Sequence, residues 1–237
     1  MLTRGRVKLG IIIFVLLSQS YILFAQNDSE IPTWGLKGGI VLSTVTGDKA
    51  IDQYAKKIGA QIGLTGAFYF NPKLSIRAEL NYELKGGKFV NHEMNMNLHY
   101  ATVPLYLKFN FTQDPEIYVY GGGYGSYLIT ANTKGTYEII IGEDFITENI
   151  NEDINANLNH FDGGFIVGLG AQGRFNRWAD IFIDLRYTQG FVNLNNNKAD
   201  LRYNFNHEPF WPEQGLGTPL NKSLMLTTGF VVFLDPR

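Results

Sequence analysis

Hydrophobic and polar residues alternate one by one along most of this chain. In the clearest run, 74–85, Ile76 and Leu80 fall on one face of an extended chain, whereas Arg77 and Glu79 fall on the other. A β-strand separates two such sets because successive side chains point to opposite faces of the sheet. A helix would scatter both sets around its circumference. The pattern therefore predicts a strand with one apolar face and one charged face.

Similar runs recur along the chain, and most of them are about 10–15 residues long when the alternation is followed to its end. The eight candidate strands are residues 34–45, 58–70, 74–85, 102–111, 116–130, 161–175, 181–188 and 224–234. Strands of soluble proteins average about 5–6 residues, whereas a tilted strand needs about 9–11 residues to cross a bilayer. The strand lengths favour a membrane barrel.

Short and long connections alternate strictly between these runs. The short connections are 71–73, 112–115 and 176–179, and the long, polar ones are 46–57, 89–97, 131–160 and 195–221. Bacterial outer-membrane barrels have this layout. We therefore predict an all-β fold, an eight-stranded antiparallel up-and-down transmembrane β-barrel with short periplasmic turns and long extracellular loops.

Aromatic residues gather at the short-turn ends of the predicted strands. They are Trp34, Phe68, Phe70, Phe109, Phe111, Phe175 and Trp178. Aromatic side chains are enriched where a membrane meets water, because each ring has an apolar body and several have a polar tip. The placement predicts one aromatic girdle at the periplasmic interface.

The N-terminus has the pattern of a secretory signal. Residues 1–25 place three basic residues before an apolar core at 9–17, and they end on the small residue Ala25. The core is shorter than the ~20 residues of a membrane-spanning helix. We predict a cleaved signal peptide, a short periplasmic segment at 26–33, a barrel domain at 34–237 and a location in the outer membrane.

Composition excludes several classes of function. The formal net charge is −2, which argues against a nucleic-acid partner, because such proteins show a basic excess. Cysteine is absent, which excludes disulfides, zinc–thiolate sites and cysteine nucleophiles. Hydrophobic residues make up 45% of the chain, so most of it can bury enough surface to fold.

The charged faces of the strands would line the lumen. An eight-stranded barrel has an interior only wide enough for side chains, and an unpaired buried ion costs several kcal/mol. We therefore predict a plugged lumen held by a charge network. Its members are Lys37, Arg77, Glu79, Glu83, Lys108, Arg174, Asp184 and Arg186. The alternative is a solvated interior with loose pairing.

Alternation alone does not say which face points outward. A small soluble barrel places its apolar face inside and its charged face in water. A soluble, exported binding barrel that resembles a lipocalin is therefore the second hypothesis. Membrane lipid is the partner implied by the first hypothesis, and the two differ in whether the folded protein needs detergent.

The long loop 131–160 is acidic, with six carboxylates against one lysine. Asp153 and three asparagines at alternate positions after it have the spacing of a calcium loop. However, Leu158 and Gly164 occupy the sixth and twelfth positions, where that loop needs glycine and glutamate. We expect an acidic loop that extends the sheet as a hairpin, and we assign no metal site.

Catalysis and cofactor binding find no support in the sequence. The strand serines have no adjacent histidine that could act as a base, so an outer-membrane enzyme is the weakest hypothesis. We predict no catalytic residue and no cofactor. One segment of the last long loop carries aromatic residues that either contact a protein or glycan partner or pack onto the rim of the barrel. They are Phe205, Phe210 and Trp211, with His207 among them.

Five sequence motifs are similar to strand motifs of a known protein family. They are WGLKGGI at 34–40, LSIRAELNY at 74–82, VPLYLK at 103–108, YGGGYG at 120–125 and DLRY at 184–187. Together they resemble the PorT-type outer-membrane β-barrel family of Bacteroidota. The resemblance implies outer-membrane insertion by the barrel-insertion machinery and an envelope role. The family takes its name from a member that is linked to protein secretion, although the fold is far broader than that role. Members commonly end on an aromatic residue, whereas four residues follow Phe233 here.

Overall fold

A computed structural model describes residues 33–46, 54–89, 93–141, 144–196 and 219–233. Ten strands occur in these ranges. They are β1 Thr33–Thr46, β2 Tyr54–Ala55, β3 Lys57–Asn71, β4 Leu74–Phe89, β5 Glu93–Asn110, β6 Glu116–Ile141, β7 Asp144–Asp153, β8 Phe161–Asn176, β9 Ala179–Gly190 and β10 Leu220–Val232. The predicted signal peptide at 1–25 and nearly all of the segment 26–33 lie outside the described residues. No helix in the described ranges is long and apolar enough to cross a membrane.

Eight of the strands close into a barrel, in which every pairing is antiparallel. Going around the wall, the order is β1, β3, β4, β5, β6, β8, β9 and β10. The first and last strands meet along a register that runs from Trp34 opposite Val232 to Thr46 opposite Leu220. The predicted eight-stranded up-and-down barrel is therefore confirmed.

The apolar faces of the strands point away from the barrel axis. Leu80, Leu105 and Leu185 are 54%, 53% and 42% exposed, whereas Arg77 and Asp184 are 2% and 4% exposed. A soluble barrel would have the opposite arrangement, because water would face the charged side chains. This orientation does not favour the lipocalin-like alternative.

Asparagine side chains stabilise two of the short turns through hydrogen bonds to the backbone. The Asn71 Oδ1 accepts hydrogen bonds from the backbone N–H groups of Lys73 and Leu74, both at 2.9 Å. The Asn176 Oδ1 does the same for Trp178 at 2.8 Å and Ala179 at 2.9 Å. Exposed aromatic side chains surround these turns: Trp34, Phe70, Phe109, Phe111, Phe175 and Trp178. The arrangement is typical of a girdle at one membrane interface.

The sheet extends further on the outer side than the alternation predicts. Instead of ending near residue 130, β6 continues to Ile141, and it pairs with β7 from Asn132 opposite Asp153 to Ile141 opposite Asp144. The expected hairpin in this loop is therefore confirmed. Beyond the membrane both faces of a strand meet water, so the apolar alternation fades while the backbone ladder continues.

Candidate functional site

The lumen is the most elaborate part of the described structure. Alternate residues of each strand point to the axis, and their charged and polar side chains form three layers along it. The periplasmic layer consists of Arg77, Lys108, Glu116, Gln172 and Asp180. The central layer consists of Lys37, Glu79, Tyr106, Tyr120, Asp184 and Arg186. The outer layer consists of Glu83, Lys85, Tyr100, Tyr124, Asp162 and Asn221.

The central layer is built around the carboxylate of Glu79 on β4. Arg186, which comes from β9 across the lumen, donates from Nη1 to Oε2 at 2.7 Å and from Nη2 to Oε1 at 2.9 Å. The Lys37 Nζ donates to Oε2 at 2.8 Å and the Tyr106 hydroxyl donates to Oε1 at 2.6 Å. Asn81 donates a further bond at 2.9 Å. Such charge-assisted, partly bidentate bonds are the strong ones in proteins.

Asp184 completes the charge balance of the central layer. Its Oδ1 accepts a hydrogen bond from the Tyr120 hydroxyl at 2.9 Å and lies 3.9 Å from the Arg186 Nε. The Tyr120 oxygen in turn accepts a bond from that Nε at 2.9 Å. Two cations therefore face two carboxylates here. The arrangement offsets the cost of removing these four charges from water.

The periplasmic layer is also balanced. The Lys108 Nζ donates to the Glu116 Oε2 at 2.6 Å. Gln172 joins the other members, because its Oε1 accepts from Arg77 at 2.8 Å and its Nε2 donates to Asp180 at 2.9 Å. Two cations again accompany two carboxylates. Because the Gln172 Oε1 also accepts from the Lys108 Nζ at 3.2 Å, Gln172 links the two halves of the layer.

The outer layer contains more hydroxyl and amide groups. Lys85 and Glu83 form an ion pair at 2.7 Å, and Thr102 donates to the same carboxylate at 3.0 Å. Asn221 donates from one nitrogen to the Tyr100 hydroxyl at 3.1 Å and to the Asp162 Oδ2 at 2.8 Å. This layer holds one cation and two carboxylates among the described residues.

Apolar side chains lie at the outer ends of the strands, above these layers. Leu98 and Leu128 are fully buried, and Leu158 and Leu194 are nearly so. The segments that carry the latter two are joined by a backbone hydrogen bond from Asn159 to Leu194 at 2.7 Å. Segments 154–160 and 191–196 thus bring buried apolar groups to the outer end of the barrel.

The predicted lumen residues divide among these layers. Lys37, Glu79, Asp184 and Arg186 lie in the central layer, Arg77 and Lys108 in the periplasmic layer, and Glu83 in the outer layer. The side chain of Arg174 is exposed on β8, near the turn that begins at Asn176. It joins none of the layers.

Sequence reasoning omitted several members from the network. Glu116, Gln172, Asp180 and Asp162 alternate in phase with other inward residues of their strands, so the same pattern could have identified them. The tyrosines were harder to find. An inward tyrosine is read from the sequence as one more apolar residue, although its hydroxyl completes the bonding of a carboxylate.

Other sequence candidates remain apart from the lumen. The loop residues Phe205, His207, Phe210 and Trp211 lie outside the described residues. In the acidic hairpin, burial raises the pKa of the Glu152 carboxyl above its ordinary value, and the Asp153 Oδ1 accepts the N–H of Asn155 at 2.8 Å. Within the described ranges, no group of three or more histidine or acidic side chains is placed to hold a metal ion.

Comparison with known proteins identifies a protein family. Residues 24–196 match the family described as outer membrane protein beta-barrel domain. No functionally curated protein sequence matches the chain.

Several solved structures are similar in shape. Ail, the attachment invasion locus protein of Yersinia pestis, is 12% identical with a TM-score of 0.40, over 85% of this chain and 99% of that one. Neisserial surface protein A is 12% identical with a TM-score of 0.43, over 85% and 97%. OprG of Pseudomonas aeruginosa is 13% identical with a TM-score of 0.38, over 86% and 96%. Identities this low say nothing about shared ligands or partners.

Proposed function

This chain belongs to the outer membrane protein beta-barrel domain family, and from that premise we propose a barrel with a plugged lumen and a non-enzymatic role in the cell envelope. The role is structural, or it is to dock a partner at the cell surface. Residues 1–25 act as a cleaved export signal, and the barrel-insertion machinery places the domain in the outer membrane.

One observation carries the proposed plug. The Glu79 carboxylate on β4 and the Arg186 guanidinium on β9 form two bonds of 2.7 and 2.9 Å, with residues on opposite parts of the wall meeting in the middle of the lumen. Lys37 approaches the same carboxylate from β1. Ions that enter from either side would have to separate these buried charges, which costs several kcal/mol.

The proposed plug predicts that single-channel recordings detect no ion conductance. Purified protein in a planar bilayer is expected to show no steady openings, because the central layer fills the lumen. The double variant Glu79→Ser with Arg186→Ser, which removes both long side chains and leaves no net change in charge, is expected to open a measurable conductance. A steady conductance of the wild-type protein would contradict the plug.

The bonding of the lumen also supports a non-enzymatic role. A general acid or base must reach a substrate, whereas both oxygens of Glu79 are occupied by five hydrogen bonds in a buried layer. Two inward serines, Ser126 and Ser223, share hydrogen bonds with threonine hydroxyls at 2.9 and 2.6 Å rather than with a histidine base.

The docking role rests on the last long loop. We place the contact surface at Phe205, His207, Phe210 and Trp211, because aromatic residues commonly dominate the binding energy of protein interfaces. The partner is an envelope protein, and the resemblance to the PorT-type family of Bacteroidota points to one used in secretion.

Replacing these four residues with serine is expected to reduce crosslinking to envelope partners by at least about tenfold. The measurement is the yield of crosslinked adduct from intact envelopes, with equal amounts of barrel in the membrane. Phe175→Ser, at the periplasmic end, serves as the control that leaves the adduct unchanged. An unchanged adduct in the fourfold variant would assign the contact to another surface.

A further inference from the structure

The outer layer differs from the other two layers in its charge balance. The periplasmic and central layers each hold two cations and two carboxylates, whereas Lys85 faces both Glu83 and Asp162. Lys85 is bound to Glu83 at 2.7 Å. In the described part of the chain Asp162 forms no ion pair, although it is only 4% exposed. Lys57 also lies at this end, but its Nζ bonds to the backbone oxygens of Lys85 and Met96 at 3.4 and 3.1 Å. The Asp162 carboxylate therefore has no ion-pair partner among the described residues.

The carboxylate of Asp162 also has one unused oxygen. Its Oδ2 accepts hydrogen bonds from Asn221 at 2.8 Å and from the Tyr124 hydroxyl at 3.5 Å. Its Oδ1 is buried and has no hydrogen-bond partner. A buried carboxylate oxygen without a partner is costly in a medium of low dielectric constant. Something other than the described side chains is needed to satisfy it.

Further oxygens lie close to that oxygen, around the position that a side chain at Gly190 would take. Gly190, the last residue of β9, has no side chain, and a Cβ at this position would lie 2.9 Å from the Asp162 Oδ1. The same point is 3.2 Å from the backbone oxygen of Asn221 and 3.2 Å from the Tyr124 hydroxyl oxygen. Three oxygens from β8, β10 and β6 thus converge on the space that the missing side chain leaves.

We propose that this space binds an alkali-metal cation, with Na⁺ as the occupant. Carboxylate, carbonyl and hydroxyl oxygens are the ligands that hard cations prefer, whereas softer metals select nitrogen and sulfur. A single positive charge balances the single unpaired carboxylate. The ligands that we assign to it are the oxygens of Asp162, Asn221 and Tyr124.

The position of the site gives it a structural consequence. One long connection, 191–219, joins the outer ends of β9 and β10, and the N–H of Phe191 already bonds to the oxygen of Gly163 on β8 at 2.9 Å. A cation held by β6, β8 and β10 would join strand ends beside this connection. Its binding would stabilise the outer end of the barrel.

The test is the thermal stability of the full-length protein refolded in detergent. The unfolding midpoint is measured in NaCl and in N-methylglucamine chloride of the same ionic strength, so that only the small cation differs. At about a hundredfold excess over its Kd, Na⁺ is expected to raise the midpoint of the wild-type protein by about 5–10 °C. The larger organic cation is expected to give no such rise.

Two variants remove the site in different ways. Asp162→Asn removes the charge, and Gly190→Ala places a methyl group 2.9 Å from the Asp162 Oδ1, where it obstructs the space. Both are expected to abolish the difference between Na⁺ and N-methylglucamine. Gly125→Ala is the matched control, because a Cβ there meets nothing within 4 Å, and it is expected to keep the full difference.

Three results would overturn the proposal. The first is a wild-type midpoint that is equal in the two salts. The second is an unchanged response to Na⁺ in both site variants, provided that each shows the cold-SDS resistance of a folded barrel. The third is a midpoint that rises when the pH is lowered in N-methylglucamine chloride and that is the same in NaCl at every pH. In that case a proton on Asp162, and not a cation, would neutralise the carboxylate.

Discussion

Glu79→Ala is expected to destabilise the folded barrel by about 3–5 kcal/mol, because it leaves two buried cations without their shared partner. Lys37 and Arg186 would lose ion pairs of 2.8 and 2.7 Å, and both side chains are almost completely buried. The measurement is equilibrium unfolding in urea with detergent present, followed by tryptophan fluorescence. A shift of the midpoint at constant slope would report stability alone.

Two comparisons identify the cause of that loss. The double variant Glu79→Met with Arg186→Met removes an anion and a cation together, so its loss should be smaller than the sum of the two single losses. Glu152→Ala, in the hairpin beyond the membrane, is the matched removal of a carboxylate that the lumen does not use. If Glu79→Ala changed stability by less than about 0.5 kcal/mol, a value typical of surface sites, the interior would be solvated and loosely paired.

Leu105→Arg should cost about 2–4 kcal/mol, the range for a charged residue at the middle of the lipid-facing surface of a barrel. Leu105 points outward from β5 and is 53% exposed. It stands between Phe109 in the periplasmic girdle and His99 near the outer interface. The expected result is a lower yield of folded barrel in lipid vesicles and an earlier unfolding midpoint.

The control separates charge from lost packing. Leu105→Ala removes the same apolar contacts without introducing a charge, and Phe161→Arg introduces the charge near the outer interface, where the cost falls to about 0–1 kcal/mol. If Leu105→Arg and Leu105→Ala were equally stable in vesicles, the face that contains Leu105 would be in contact with water and the assigned orientation would be wrong.

The alternation of residues was enough to predict the wall of the barrel. Because the side-chain period of a strand is two, Ile76 and Arg77 had to point to opposite faces, and the structure places them so. Alternation alone left open which face was inside. Strand length, the export pattern and the alternation of loops indicated that the apolar face points outward to lipid. The exposed Leu80 and the buried Arg77 agree with that orientation.

The partners within the lumen could not be read in the same way. Glu79 and Arg186 are 107 positions apart, and they meet because of the tilt and stagger of the whole closed sheet. Arg77 is only two residues from Glu79, yet its contact is with Gln172 in another layer. The sequence shows that each residue points inward, but the level at which it lies depends on the shear of the barrel.

The central layer also draws its members from strands that are far apart in the chain. Lys37 belongs to the first strand and Glu79 to the third of the eight that form the wall, whereas Asp184 and Arg186 belong to the seventh. A half-assembled sheet would pair the Glu79 carboxylate with Lys37 alone. The rest of its hydrogen-bonding capacity would face the open edge of the sheet. The Glu79 carboxylate is therefore expected to gain its full set of partners only after the seventh strand has joined the sheet.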